Sequence, residues 1–101
     1  MTNIVLFCSA GMSTSLLVTK MKKYADEINY DANINAYSLS EIDEYAPNAD
    51  IILLGPQVGY NKELLNEKYP DKIVEIIDMM DYGMMRGDKV IQMVKKTLGD
   101  K

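Results

Sequence analysis

Short apolar runs alternate with amphipathic stretches along this chain. Ile4-Val5-Leu6-Phe7, Ile51-Ile52-Leu53-Leu54 and Ile73-Val74-Glu75-Ile76-Ile77 are brief, aliphatic and largely β-branched. Runs of that kind predict strands buried on both faces, as in a parallel sheet. Residues 32–37 instead alternate Ile34 and Ala36 with Asn33 and Asn35, which predicts an edge strand with one side in water.

Helical spacing fills the intervals. Across residues 13–29, Leu17, Met21, Tyr24 and Ile28 recur at helical steps, while Lys20, Lys22, Lys23, Asp26 and Glu27 cover the remaining surface. A short helix is expected to start at Ser40-Glu41 and stop near Pro47, and another spans residues 61–69 before Pro70. The last helix sets Met84, Gly87, Ile91, Val94 and Leu98 on one stripe and ends at Gly99. Its start is open between two N-cap candidates, Asp81 and Asp88, because Gly83 and Gly87 weaken the stretch between them. Strands and helices thus alternate throughout. Right-handed crossovers then predict an α/β fold: a four-stranded parallel sheet with helices on both faces. The polar edge strand favours the order 2-1-3-4, a shortened flavodoxin-like pattern. Such sheets bind ligands at the carboxyl ends of their strands, beside strand 1, and that rule points at residue 8.

Composition narrows the chemistry. A chain of 101 residues, 48% of them hydrophobic, suits one domain over residues 1–101. The net charge of −4 repels polyanions, so no nucleic-acid partner is expected. With no His, Ser-His-Asp and Cys-His catalysis, His-ligated zinc and a phosphohistidine role are excluded. The single Cys leaves no internal disulfide and no CxxC pair. Neither a signal-peptide core nor a membrane-length apolar run is present, so a soluble cytoplasmic protein is expected.

Cys8 ends the first strand and is followed by Ser9, Ala10, Gly11, Met12, Ser13, Thr14 and Ser15. Small and flexible residues at a strand-to-helix turn can point successive backbone N–H groups inward, forming a phosphate-binding nest at the positive end of a helix. The same field favours a thiolate, which makes Cys8 a candidate nucleophile. The plainer alternative is a buried small residue followed by an ordinary serine N-cap. Cys, five residues, then Arg and Ser or Thr is the phosphate loop of the low-molecular-weight tyrosine phosphatases. Here Thr14 and Ser15 follow the five residues, and the Arg that would clamp phosphate is missing. Thr14→Arg is accordingly expected to tighten anion binding.

The segment Phe7-Cys8-Ser9-Ala10-Gly11-Met12-Ser13-Thr14-Ser15-Leu16-Leu17 resembles the active-site signature of the enzyme IIB component of the sugar phosphotransferase system, in its lactose, cellobiose and diacetylchitobiose group. Three further blocks are similar to that family: residues 49–58, Val74-Glu75-Ile76-Ile77-Asp78, and Asp81-Tyr82-Gly83. The resemblance covers essentially the full length. It implies that Cys8 accepts a phosphoryl group from a phosphohistidine on enzyme IIA. It also implies delivery to a sugar, such as cellobiose, chitobiose or lactose, translocated by the membrane enzyme IIC. Residues 9–15 would hold the phosphate. No metal or cofactor is implied, and a freely exchanging carrier is expected to be monomeric, meeting the inner face of the membrane only through enzyme IIC. Many family members carry a larger or basic residue where this chain has Gly59.

Outside the loop, Gln57, Val58 and Tyr82 are candidates for lining the site or meeting a partner. Asp78 and Asp81 read either as helix caps or as general acids. Met79, Met80, Met84 and Met85 cluster around Tyr82; Met84 is expected in the core, with some of the others exposed to meet partners. Two further classes stay open beside a carrier: a phosphatase, and a non-catalytic nucleotide or flavin module on the same fold.

Overall fold

The computed structural model describes residues 1–8 and 12–99, apart from the side chains of residues 12 and 13. Four parallel strands run β1 (Thr2–Cys8), β2 (Ala32–Ser38), β3 (Ile51–Leu54) and β4 (Ile73–Ile76), in the order β2-β1-β3-β4. This is the predicted order. The two inner strands are the most apolar: Ile4, Leu6 and Phe7 of β1 and all four residues of β3 are fully buried.

Strand pleating sends alternate residues to opposite faces, so one sheet builds two cores. Ile4, Leu6, Ile34, Ile51 and Leu53 pack with Leu17, Met21 and Ala25 of helix α1 (Met12–Glu27). On the other face Val5, Phe7, Ile52, Leu54 and Val74 meet the α2 (Ile42–Tyr45) and α3 (Lys62–Lys68) side of the molecule, where Leu65 is buried. Helix α4 (Met79–Gly83) and helix α5 (Gly87–Leu98) supply Tyr82, Val90, Ile91 and Val94 to the first core.

Several local expectations need correction. Strand β4 is not buried on both faces: Ile73 and Ile76 are 37% and 41% exposed, because an outer strand has a neighbour on one side only. The second helix is capped by Ser38, not Ser40. The Ser38 hydroxyl accepts from Ser40 N, and Ser38 N donates to Glu41 Oε2 at 3.1 Å, a reciprocal capping box. The chain then passes through a 3₁₀ turn, α2 and a second 3₁₀ turn that admits Pro47 near its start, where a missing N–H costs nothing. The apolar stripe of the last helix is interrupted. Asp78 caps α4 as a separate short helix, whereas Arg86 precedes α5 without a side-chain cap. Gly99, at φ 74°, ends α5 in the left-handed conformation that glycine adopts most easily. Among the described residues no helix is long and apolar enough to cross a membrane.

Candidate active site

The ends of the parallel strands bring Cys8, Thr14, Gln57 and Tyr82 to one edge. In register, Cys8 lies opposite Ser38, and Phe7 lies opposite Leu54. The ladder continues one step further: Gly55 N donates to the Phe7 carbonyl at 3.1 Å, and Ile77 N donates to the Leu54 carbonyl at 2.9 Å. Cys8, Gly55 and Asp78 are therefore the exits of three adjacent strands. Parallel strands with crossovers on both faces leave this edge uncovered, which is why sites form there.

Cys8 is only 4% exposed, so it is set into the edge and is not a solvent-facing loop residue. Thr14, in the first turn of α1, directs its hydroxyl at the sulfur, with Oγ1 2.7 Å from Sγ. Thr14 is 1% exposed. The residue that takes the phosphatase Arg position is thus buried against the cysteine. Tyr82 completes the cluster from α4, its hydroxyl 3.4 Å from Thr14 Oγ1. Its ring also borders the sulfur-bearing residue: a methyl placed on Gly55 would lie 3.6 Å from Tyr82 Cε2 and 3.7 Å from Cys8 Cβ.

Gly55 therefore matters as more than a turn. The same methyl would lie 3.3 Å from Gln57 Oε1, so the Gln57 side chain folds back over the strand exit although the residue is exposed. Val58, the other candidate from this block, is 2% exposed and belongs to the second core with Phe7 and Leu54. It presents no surface to a partner. Ser15 is exposed in the first turn of α1. Ser9, Ala10, Gly11 and the side chains of Met12 and Ser13 lie outside the described residues.

Asp78 acts as a cap. Its Oδ2 accepts from Met80 N at 3.0 Å and Asp81 N at 3.2 Å, and this anchors the helix that carries Tyr82. Met79 and Met80 are 74% and 70% exposed beside it. Met84 is 62% exposed and not core, because α4 ends before the stripe can continue into α5. Ion pairing shapes other surfaces. Hydrogen bonds from Lys68 and then Tyr69 hold the Asp43 carboxyl below the usual carboxylate range, and Arg86 does the same for Asp88.

The Thr14 and Tyr82 hydroxyls are what sequence reasoning placed least well. Thr14 was legible only as a spacing after Cys8, and Tyr82 only as part of a short block of resemblance. Nothing in either position announces that the two oxygens meet.

Comparison with known proteins shows the family of the chain. Residues 3–93 match the family model described as "PTS system, Lactose/Cellobiose specific IIB subunit". The chain is 48% identical over 95 residues to the galactose-specific EIIB component of Lactococcus lactis subsp. cremoris, covering 87% of this chain and 88% of that one. It is 47% identical over 95 residues to the oligo-beta-mannoside-specific EIIB component of Bacillus subtilis, covering 91% of each. The solution structure of the cellobiose-specific phosphotransferase IIB component from Borrelia burgdorferi superposes with a TM-score of 0.73 at 44% identity, covering 90% of this chain and 85% of that one. On these grounds the chain belongs to the lactose/cellobiose-specific IIB family of the sugar phosphotransferase system.

Proposed function

We propose that Cys8 is the phosphoryl acceptor of this IIB component. Its thiolate attacks the phosphorus of a phosphohistidine on enzyme IIA, so that the N–P bond breaks, an S–P bond forms and the imidazole leaves. A hydroxyl of the sugar handled by enzyme IIC then attacks the same phosphorus, and the thiolate is released. Both steps transfer one phosphoryl group in line and demand charge stabilisation more than bond-making help from the protein. The single observation that carries the reading is the Thr14 hydroxyl on Cys8 Sγ at the carboxyl end of the central strand. A hydrogen-bond donor aimed at sulfur supports the anion that must attack and later leave.

Residues 9–15 form the phosphate loop in this reading, with Gln57 and Tyr82 lining its rim. The chain works as one cytoplasmic, monomeric domain, needs neither metal nor cofactor, and reaches the membrane only through enzyme IIC. Relatives named for galactose, cellobiose and oligo-beta-mannosides favour a hexose or a short oligosaccharide of hexoses as the sugar. A phosphatase is the weaker reading, because Thr14 fills the position of the clamping Arg and is buried.

Labelling with a phosphohistidine-bearing enzyme IIA tests the proposal. Stable, acid-distinguishable phosphocysteine is expected in the wild-type chain. Cys8→Ser should remain folded but take no label, since no base is available to activate a serine hydroxyl there. Release of inorganic phosphate without sugar would instead indicate a phosphatase, and a Cys8→Ser protein labelled at the wild-type rate would remove Cys8 from the mechanism.

A further inference from the structure

We infer that Tyr82 is a positioning residue for the nucleophile: its phenol holds the Thr14 hydroxyl in the orientation that donates to Cys8 Sγ. The inference rests on the reading of Cys8 as the phosphoryl acceptor and extends it to a residue distant in the chain.

The geometry supplies the argument. Thr14 Oγ1 lies 2.7 Å from Cys8 Sγ and 3.4 Å from the Tyr82 hydroxyl oxygen. A threonine hydroxyl has one proton and two lone pairs. With its proton committed to sulfur, Thr14 can only accept from Tyr82, so the phenol O–H donates and the chain runs from Tyr82 through Thr14 to Cys8. Within a helix, threonine divides between two side-chain rotamers because its hydroxyl has backbone carbonyls to compete for. Thr19 of α1 takes that local option and donates to the Ser15 carbonyl at 3.1 Å. Thr14 lies in the first turn of α1, where no carbonyl of the helix precedes it, and its hydroxyl turns to sulfur with the Tyr82 phenol on its other side. Both residues are buried, at 1% and 7% exposure, so water competes poorly for either hydroxyl.

Tyr82 is itself held on two sides. The Asp78 carboxylate caps α4, and Tyr82 N donates to the Asp78 carbonyl at 2.9 Å, which fixes the helix to the end of β4. The ring edge lies against the space over Gly55, next to Cys8 Cβ. A methyl at Gly55 would sit in ordinary contact with both the ring edge and the cysteine. Residues of β1, α1 and α4 thus meet in sequence, Cys8 to Thr14 to Tyr82, and the one farthest along the chain sets the orientation of the donor.

The test uses Tyr82→Phe, Thr14→Val, Thr14→Ser and the Tyr82→Phe/Thr14→Val pair, each checked for unaltered thermal unfolding. Two rates are read: alkylation of Cys8 by iodoacetamide, and single-turnover phosphorylation by phospho-enzyme IIA over a range of donor concentration. Tyr82→Phe keeps the ring and removes the hydroxyl. It should slow both reactions by about three- to tenfold, with the half-saturating donor concentration unchanged, because a donor acting on the sulfur alters chemistry and not docking. Thr14→Val should slow them more than Thr14→Ser, which retains a hydroxyl. On the Thr14→Val background, Tyr82→Phe should change the rate by less than about twofold, since its effect passes through Thr14. Wild-type rates in Tyr82→Phe, or equal slowing in both backgrounds, would overturn the inference. If the wild-type chain accepts no phosphoryl group, the carrier reading fails on its own, and the alkylation rates still decide the role of Tyr82.

Discussion

Glycine 87 gives the sharpest test of how this fold is held together. It opens α5 where that helix crosses α1, and a methyl built on it would lie 2.5 Å from Met21 N, 2.6 Å from the Lys20 carbonyl carbon and 2.9 Å from Lys20 Cβ. Carbon atoms in contact prefer roughly 3.5–4.0 Å, so α1 and α5 would have to separate by about 1 Å. The neighbouring atoms include α1 backbone, which cannot step aside as the end of a long side chain would. The seam between the helices contains Leu17, Met21 and Ala25 against Val90, Ile91 and Val94, all buried. Opening such a seam forfeits a quarter to a half of its dispersion energy, and overpacking of this kind costs about 1–3 kcal/mol. The helix propensity gained by replacing Gly with Ala returns at most about 1 kcal/mol. Gly87→Ala is therefore expected to lose about 1–2 kcal/mol net. For a chain of this size each 1 kcal/mol moves the melting temperature by roughly 4–8 °C, so a fall of about 5–15 °C is expected by circular dichroism. Gly83→Ala is the matched control. Nothing lies within 4 Å of a methyl there, and its stability should be unchanged or raised by up to about 1 kcal/mol. A Gly87→Ala protein melting at or above the wild-type temperature would refute the close-approach argument.

Two other variants probe the site edge. Asp78→Ala should cost about 0.5–2 kcal/mol in urea unfolding, and Asp78→Asn clearly less, because an amide oxygen still accepts from Met80 N and Asp81 N; equal stability of Asp78→Ala and wild type would show that the cap is idle. Thr14→Arg, expected from spacing alone to tighten anion binding, should instead destabilise the chain and weaken vanadate binding, since a 1%-exposed site beneath Cys8 has no room for the longer side chain. A folded Thr14→Arg protein with tighter vanadate binding would restore the phosphatase-like orientation.

Much of the architecture was legible without coordinates because it follows from local periodicity. A four-residue aliphatic run such as Ile51–Leu54 is stable only when both faces are covered, and alternation of such runs with amphipathic helices leaves few chiral solutions. The order β2-β1-β3-β4 follows from one further clue, the asparagines of β2, which mark an edge. Cys8 was legible for the same reason: it is the residue at which the central apolar run stops and a small-residue turn begins. Its chemistry was narrowed further by composition, since a chain without His has few other nucleophilic arrangements.

What periodicity does not contain is the end of each element and the meeting of distant side chains. The stripe from Met84 to Leu98 reads as one helix whose start is open between Asp81 and Asp88, yet the chain breaks after Gly83 and resumes at Gly87, where the close approach to Met21 is a tertiary fact. Val58 and Met84 exchanged their expected places, core for surface, because burial depends on which neighbour arrives from another part of the chain. The site shows the same division. Sequence alone determined that a lone cysteine sits at the mouth of the central strand. Only the folded structure decided that a threonine six residues onward meets its sulfur and that a tyrosine hydroxyl from α4 meets that threonine, because side-chain direction is set by the packing of three elements at once.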